Sequence, residues 1–337
     1  MSNIYNYVEK YGDELIEEVR PLDALVFARI AYIHIEELKE KLPFNITDLN
    51  NYLHLIKISS KDQKLINLLS KKNRYKDLCI ERCSNIFDEE KREQFFAVTI
   101  NLMNHSSFIT FRGTNKSVTG LIEDLDMSYK VIPSQIDAIK YLEEENLKSI
   151  YLGGHSKGGN LAIYAFLNSK FLKRKMIKKV FNFDGPGLLE IKNNKEVKKI
   201  DNYYPECSIV GRILNGIGNV NTIKSNKYGI EGHNIYNWVI KDSEFEQSLF
   251  LKESDIFSSA TISFLNNVSK ERIKVIIDYL YELIKRREFD LKKIDFQEFK
   301  NLILNAPIIT DIEKKELLKY IKVFIKVSLP DVRKKEK

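Results

Sequence analysis

A chain of 337 residues with 43% hydrophobic and 30% charged side chains has the balance of a globular protein, and it is too long for one ordinary core. Its formal net charge of +7, from 54 basic against 47 acidic residues, is spread along the sequence and argues against a nucleic-acid-binding stripe. Three cysteines, Cys79, Cys83 and Cys207, make an odd count without metal-ligand spacing; buried free thiols are expected, with no metal and no organic cofactor.

The opening MSNIYNYVEKYGDELIEE has neither a basic n-region nor an apolar h-region, so it is not read as a signal peptide. The longest apolar stretches fall short of the ~18 residues of a membrane span, and cytoplasmic residence is the expectation. Residues 1–72 are expected to be helical. Within them, residues 23–38 (DALVFARIAYIHIEEL) place apolar side chains at helical spacing behind Pro21, and residues 62–71 continue in a polar helix. From Lys76 the period drops to two. DLCIERCSNIF, EQFFAVTINLM and SSFITFRG read as strands, with Asn104-His105-Ser106 as a hairpin turn.

Helices and strands then alternate, the mark of a sheet with crossover helices. Residues 135–145 read as a helix, LKSIYLGG as a strand, LAIYAFLNSKF as a helix, KKVFNFDG as a strand and LLEIKNNKEVKK as a helix. YYPECSIV, NVNTIKSN and IYNWVI are further strand candidates. Beyond Ser243, FEQSLFLKE, RIKVIIDYLYELIKRR, FQEFKNLILN and DIEKKELLKYIKVFIKV read as amphipathic helices, with stripes such as Ile276, Ile277, Leu280 and Leu283 that need burial. The predicted organisation is a helical region at 1–72 packed on a mostly parallel α/β core at 73–243, followed by a helical region at 244–337. The densest basic runs, residues 170–179 (KFLKRKMIKK) and 333–337 (RKKEK), are read as solvated, with weak contact to an anionic membrane surface left open.

The sharpest motif is Gly154-His155-Ser156-Lys157-Gly158. Chance alone gives G-x-S-x-G in roughly a tenth of chains this long, so its setting decides its weight. An apolar strand, SIYL, precedes it and an amphipathic helix, NLAIYAFL, follows. A serine on such a strand–turn–helix elbow is exposed as a nucleophile, and the Lys157 backbone N–H faces a developing oxyanion. Upstream, Phe111-Arg112-Gly113-Thr114 ends a strand ~40 residues before the serine, the place of a loop that supplies the second oxyanion donor. Thr114 is that donor, through its N–H and, as an option, its hydroxyl. Arg112 is expected to pair with Glu123 or Asp124.

Together the two motifs resemble those of class 3 lipases, where FRGT and GHSLGG stand in the same order. They are more similar still to a lipase-like bacterial family, Mbeg-like, in which QFFAVTINL, FRGT, GHSKGGNLAIYA, FNFDGPG, SIVG and a late GHxxYxW recur in this order. The resemblance covers residues 23–239. It implies an α/β-hydrolase fold and ester hydrolysis without naming a substrate. Lys157 stands where class 3 lipases carry Leu, a swap expected to place a cation beside the oxyanion.

Five histidines compete for the role of base. His34 and His54 precede the sheet, His105 lies in the hairpin turn, and His155 is locked beside the serine. His233, in YGIEGHNIYNW, follows the last strand candidates and sits beside a glycine, and Ser…acid…His is the chain order of this fold. For the acid, Asp184 ends the strand after the nucleophile helix and is followed by a Gly-Pro-Gly turn. That turn resembles the acid-bearing turn of pancreatic-type lipases, whereas the class 3 precedent one strand later favours Glu206, with Asp201 as a further candidate. Asp124 and Asp126 are read as structural. The expected chemistry is two-step acyl transfer by Ser156, His233 and Asp184 on a small-molecule or lipid ester. The competing readings are a non-catalytic hydrolase-fold scaffold that binds a partner, and a thioesterase or peptidase.

Overall fold

The computed structural model describes residues 2–102, 104–115, 117–191, 195–285 and 296–328. It opens with α1 (Ile4–Tyr11), capped by the Asn3 side chain, and α2 (Pro21–Ile30), which starts at its proline. The helix expected over residues 23–38 ends at Ile30. Tyr32 and Ile33 turn through i→i+3 bonds to Arg29 and Ile30, and a 3-10 segment follows over Ile35–Lys41. The break frees Tyr32 to reach His155 across the sheet, a tertiary contact that helical periodicity cannot encode. A two-residue strand, β1 (Phe44–Asn45), also interrupts the expected helical start before α3 (Ile46–Tyr52) and α4 (Ser60–Leu69).

The sheet is formed by β1, β2 (Cys79–Asp88), β3 (Glu93–Asn101), β4 (Ser107–Phe111), β5 (Ile150–His155), β6 (Ile177–Phe183), β7 (Ile200–Pro205) and β8 (Asn219–Ile223), side by side in chain order. The pairings from β1 to β4 are antiparallel, and those from β4 to β8 are parallel. The crossovers from β4 to β5 and from β5 to β6 are supplied by α5 (Val118–Asp126) with α6 (Pro133–Glu144), and by α7 (Lys157–Asn168) with the short α8 (Phe171–Met176). In β3 the pleat sorts side chains strictly. Phe96, Val98 and Ile100 face the core shared with α1 and α2, while Phe95 and Ala97 face the core shared with α6 and α7. Burial on both faces explains why Phe95 to Val98 are apolar without alternation. The architecture is α/β, a mostly parallel sheet with helices on both faces, of the α/β-hydrolase type.

Several segments depart from expectation. Among the described residues of 188–199 there is no α-helix: Leu188 is drawn into the core beside α6 and α7 and bridges Asn215, a 3-10 turn covers Lys195–Lys199, and residues 192–194 lie outside the described residues. Of IYNWVI, only the last residue enters a strand, β9 (Ile240–Lys241), paired with β10 (Glu244–Phe245) in a separate hairpin. Residues 235–237 form a 3-10 turn because the fully buried Trp238 ring aims its N–H at Gly232 O, 2.8 Å away. FEQSLFLKE is non-helical up to Leu251, and the helix there is α9 (Lys252–Asn267), whose run of Ser and Thr hid it from a propensity argument. The next helices are α10 (Lys270–Lys285), α11 (Phe296–Asn305) and α12 (Asp311–Ser328). Ile276 and Ile277 are buried in a cluster with Ile122 of α5 and Ile303 of α11. The basic tail at 333–337 lies outside the described residues.

A buried charge cluster ties α1 and α2 to the segment that leads into β2. Asp23 is fully buried and accepts from the Tyr7 hydroxyl at 3.0 Å, the Tyr75 hydroxyl at 2.7 Å and Arg74 at 2.8 and 2.5 Å. Asp23→Ala would strand the Arg74 guanidinium in the core, and a loss of about 3–5 kcal/mol in urea-unfolding stability is expected. An unchanged midpoint would show that the cluster is energetically neutral.

Candidate active site

Ser156 joins β5 to α7 with φ +58° and ψ −137°, a conformation that costs a non-glycine residue of order 1–3 kcal/mol and persists only when its surroundings enforce it. Enforcement is visible on both sides. The Ser156 N–H donates to Phe183 O at 3.0 Å, and its carbonyl accepts from Gly159 N–H at 2.9 Å. A Cβ on Gly158 would lie 2.0 Å from Phe111 O, so the tight packing of the elbow demands glycine there.

Sheet register brings Asp184 to the same edge. His155, Phe183 and Tyr203 are aligned across β5, β6 and β7, so Ser156 and Asp184 each stand one residue beyond an aligned position. Asp184 is fully buried, takes φ +50°, and bonds its N–H to Tyr203 O at 2.9 Å. Its Oδ1 accepts from the Ser208 hydroxyl at 2.5 Å and Gly211 N–H at 3.2 Å, and its Oδ2 lies 2.6 Å from His233 Nδ1. The carboxylate therefore accepts from Nδ1–H and leaves Nε2 as the basic nitrogen.

His233 ends a short 3-10 turn, Gly229–His233, that is held from three sides. Besides the Asp184 contact, the Trp238 indole anchors Gly232 O, and His155 Nε2 lies 2.8 Å from His233 O. A carbonyl only accepts, so His155 carries its proton on Nε2 and accepts the Tyr32 hydroxyl at Nδ1, 3.0 Å away. Burial, with the neighbouring His233 adding to it, holds His155 well below the usual imidazole range, so it stays neutral. The two imidazoles pack with centroids 4.3 Å apart.

The FRGT turn passes directly over the serine. A Cβ on Gly113 would lie 2.7 Å from His155 O and 2.9 Å from Ser156 Cβ. Thr114 follows, and Lys157 is the first residue of α7, where an N–H has no partner within the helix. The Thr114 hydroxyl is already engaged: it donates to the carboxylate oxygens of Asp124, at 2.7 and 2.6 Å, rather than into the space above Ser156. Burial pushes the Asp124 carboxyl up to about 6, against the opposing pull of the Lys157 ammonium and the Thr114 hydroxyl.

Other expected placements need correction. The Lys157 side chain does not sit beside the oxyanion position: its ammonium is buried on Glu123 Oε2 at 2.6 Å and Gln94 O at 2.9 Å. Arg112 pairs with Glu36 at 2.7 Å and Asn85 at 3.2 Å, not with Glu123 or Asp124, because it points to the face covered by the N-terminal segment. Glu206 does not meet His233; its Oε2 accepts from Ser248 at 2.6 Å. Asp201 pairs with Lys179 at 2.5 Å. Cys83 and Cys207 are buried thiols, Cys83 pushed up to about 11 by burial, but Cys79 is only half-buried. Among the described residues, no cluster of His, Cys, Asp and Glu could hold a metal ion, and no helix is long and apolar enough to cross a membrane.

The roles of Tyr32, Gln94, Glu123 and Ser208 escaped the sequence pattern because each serves a partner distant in the chain. For Ser208 a signal existed, since it opens the SIVG segment shared with the Mbeg-like pattern. The C-terminal helices brace the same loops. The Ser254 hydroxyl of α9 donates to Ser208 O at 2.7 Å, and α12 ends against Gly229, where a Cβ would lie 2.3 Å from Ser328 O.

Among solved structures the chain is similar to one described as a crystal structure of M37 lipase, at 15% identity and a TM-score of 0.37, with 58% of this chain and 70% of that chain covered. No curated protein matches it. A model of the Mbeg1-like family matches residues 69–282, more than half of the chain, and the protein belongs to that family.

Proposed function

We propose that the protein is a serine hydrolase that cleaves carboxylic esters through an acyl-enzyme. The observation that carries this reading is the 2.6 Å contact of His233 Nδ1 with the buried Asp184 carboxylate, at the same sheet edge as a serine held at positive φ. In this reading Ser156 Oγ attacks the ester carbonyl while His233 Nε2 takes its proton. The Thr114 and Lys157 N–H groups receive the oxyanion, and His233 returns the proton to the departing alcohol. Water then repeats the attack on the acyl-serine, and the acid leaves.

An apolar acyl group suits the surroundings. α5 begins four residues after Thr114 and leaves Val118, Leu121 and Leu125 exposed at helical spacing, a stripe beside the oxyanion loop. A fluorophosphonate probe tests the reading: a covalent adduct mapped to the peptide carrying Ser156 is expected. A panel of p-nitrophenyl esters, acyl-CoAs and peptides should then give turnover on esters. No adduct and no turnover would leave a hydrolase-fold scaffold in its place, and preference for acyl-CoA or peptide would move the substrate class.

A further inference from the structure

Lys157 has a use that the acyl-transfer scheme does not assign. Its side chain leaves the first turn of α7 and is 1% exposed, and the Glu123 carboxylate that it meets is 0% exposed. A buried pair of this kind holds only when every lone pair is satisfied. Here they are. Glu123 Oε2 accepts from Lys157 Nζ at 2.6 Å and Gln94 N–H at 3.0 Å, and Oε1 accepts from the Ser134 N–H and hydroxyl at 3.1 and 2.6 Å.

The same cluster grips the FRGT loop. Gln94 gives its backbone carbonyl to Lys157, while its side-chain Oε1 accepts from Asn115 N–H at 3.0 Å and its Nε2 donates to Ser117 Oγ at 3.0 Å. Ser117 in turn caps α5 through Gly120 N–H. On the other flank, Asp124, 3.9 Å from Lys157 Nζ, holds the Thr114 hydroxyl. The residue whose N–H forms one side of the anion site thus reaches back, through its own ammonium, to both anchors of the loop that forms the other side.

We propose that Lys157, Glu123 and Gln94 are positioning residues, a buried clamp that sets the spacing between the Thr114 and Lys157 N–H groups. The inference rests on the hydrolase reading above. Its physical requirement is strict, since donors placed even slightly off the oxyanion position lose most of their transition-state value. The clamp also accounts for a lysine where class 3 lipases carry leucine. A leucine packs against α5 but cannot hold the Gln94 carbonyl and the Glu123 carboxylate at once.

The test compares the full-length wild type with Lys157→Met/Glu123→Gln, which removes both charges and the Lys157 ammonium donor while keeping side-chain volume, and with Gln94→Met, which frees the loop without touching the ion pair. Each is assayed well below its own melting temperature, for p-nitrophenyl ester turnover and for the rate of fluorophosphonate labelling. The clamp requires kcat to fall by about 10²-fold in the double variant and about 10-fold in Gln94→Met, with KM within threefold and labelling slowed in proportion. Folded variants with wild-type kcat and only a lower melting temperature would overturn it, leaving the cluster purely structural. Should the double variant fail to fold, Gln94→Met decides alone by the same criterion. A wild type that neither labels nor turns over ester would instead sink the hydrolase reading itself.

Discussion

Ester turnover by Ser156→Ala is expected to fall on the order of 10⁶-fold, to whatever residual rate binding and the oxyanion donors sustain. The prediction follows from geometry that the substitution leaves alone. The backbone bonds that hold the elbow, Ser156 N–H to Phe183 O and Gly159 N–H to Ser156 O, do not involve the hydroxyl. Alanine keeps a Cβ at φ +58°, so the strain and the fold are retained while the proposed nucleophile is lost. Ser156→Gly separates the two roles further. It is equally inactive, but it relieves the positive-φ strain and should be more stable than Ser156→Ala by about 1 kcal/mol. Calorimetry and a p-nitrophenyl ester assay on the two variants measure both effects. Wild-type turnover in Ser156→Ala would refute the central assignment.

Asp184→Asn is expected to cut turnover by about 10⁴-fold with little change in stability. The direction follows from donors and acceptors. Gly211 N–H can only donate, so the asparagine oxygen takes the Oδ1 position and the amide NH₂ is left facing His233 Nδ1. That face now donates where it previously accepted, which forces the imidazole proton onto Nε2, the nitrogen needed as base. Glu206→Gln should have a far smaller effect, because Glu206 is bonded to Ser248 and not to His233. A Glu206→Gln loss matching that of Asp184→Asn would transfer the acid role and leave Ser156 and His233 in place.

Much of the site was legible from local pattern. The elbow around Ser156 follows from an apolar strand, a glycine-rich turn and an amphipathic helix, all signals of nearest neighbours in the chain. His233 was reachable by elimination, since of five histidines it alone follows the parallel strands. The strand character of β3 was equally visible, because its β-favouring apolar residues are bounded by turn signals.

Other features depended on the tertiary structure. Asp184, Glu206 and Asp201 all stand near strand ends, and sequence composition ranks them only weakly. The register of β5, β6 and β7 settles which carboxylate meets His233, and register is a long-range property of strand pairing. Likewise Lys157 reads as a cation beside the nucleophile until the packing of α5 against β3 gives its ammonium a buried carboxylate to meet. Tyr32 belongs by periodicity to a helix and by structure to the His155 imidazole, 123 residues away in the chain. Local sequence therefore determined which chemical groups the edge of the sheet presents, because turn and strand preferences act over a few residues. Only the folded chain decided which charges pair, because a buried ion seeks the partner that best offsets its lost hydration, wherever in the sequence that partner lies.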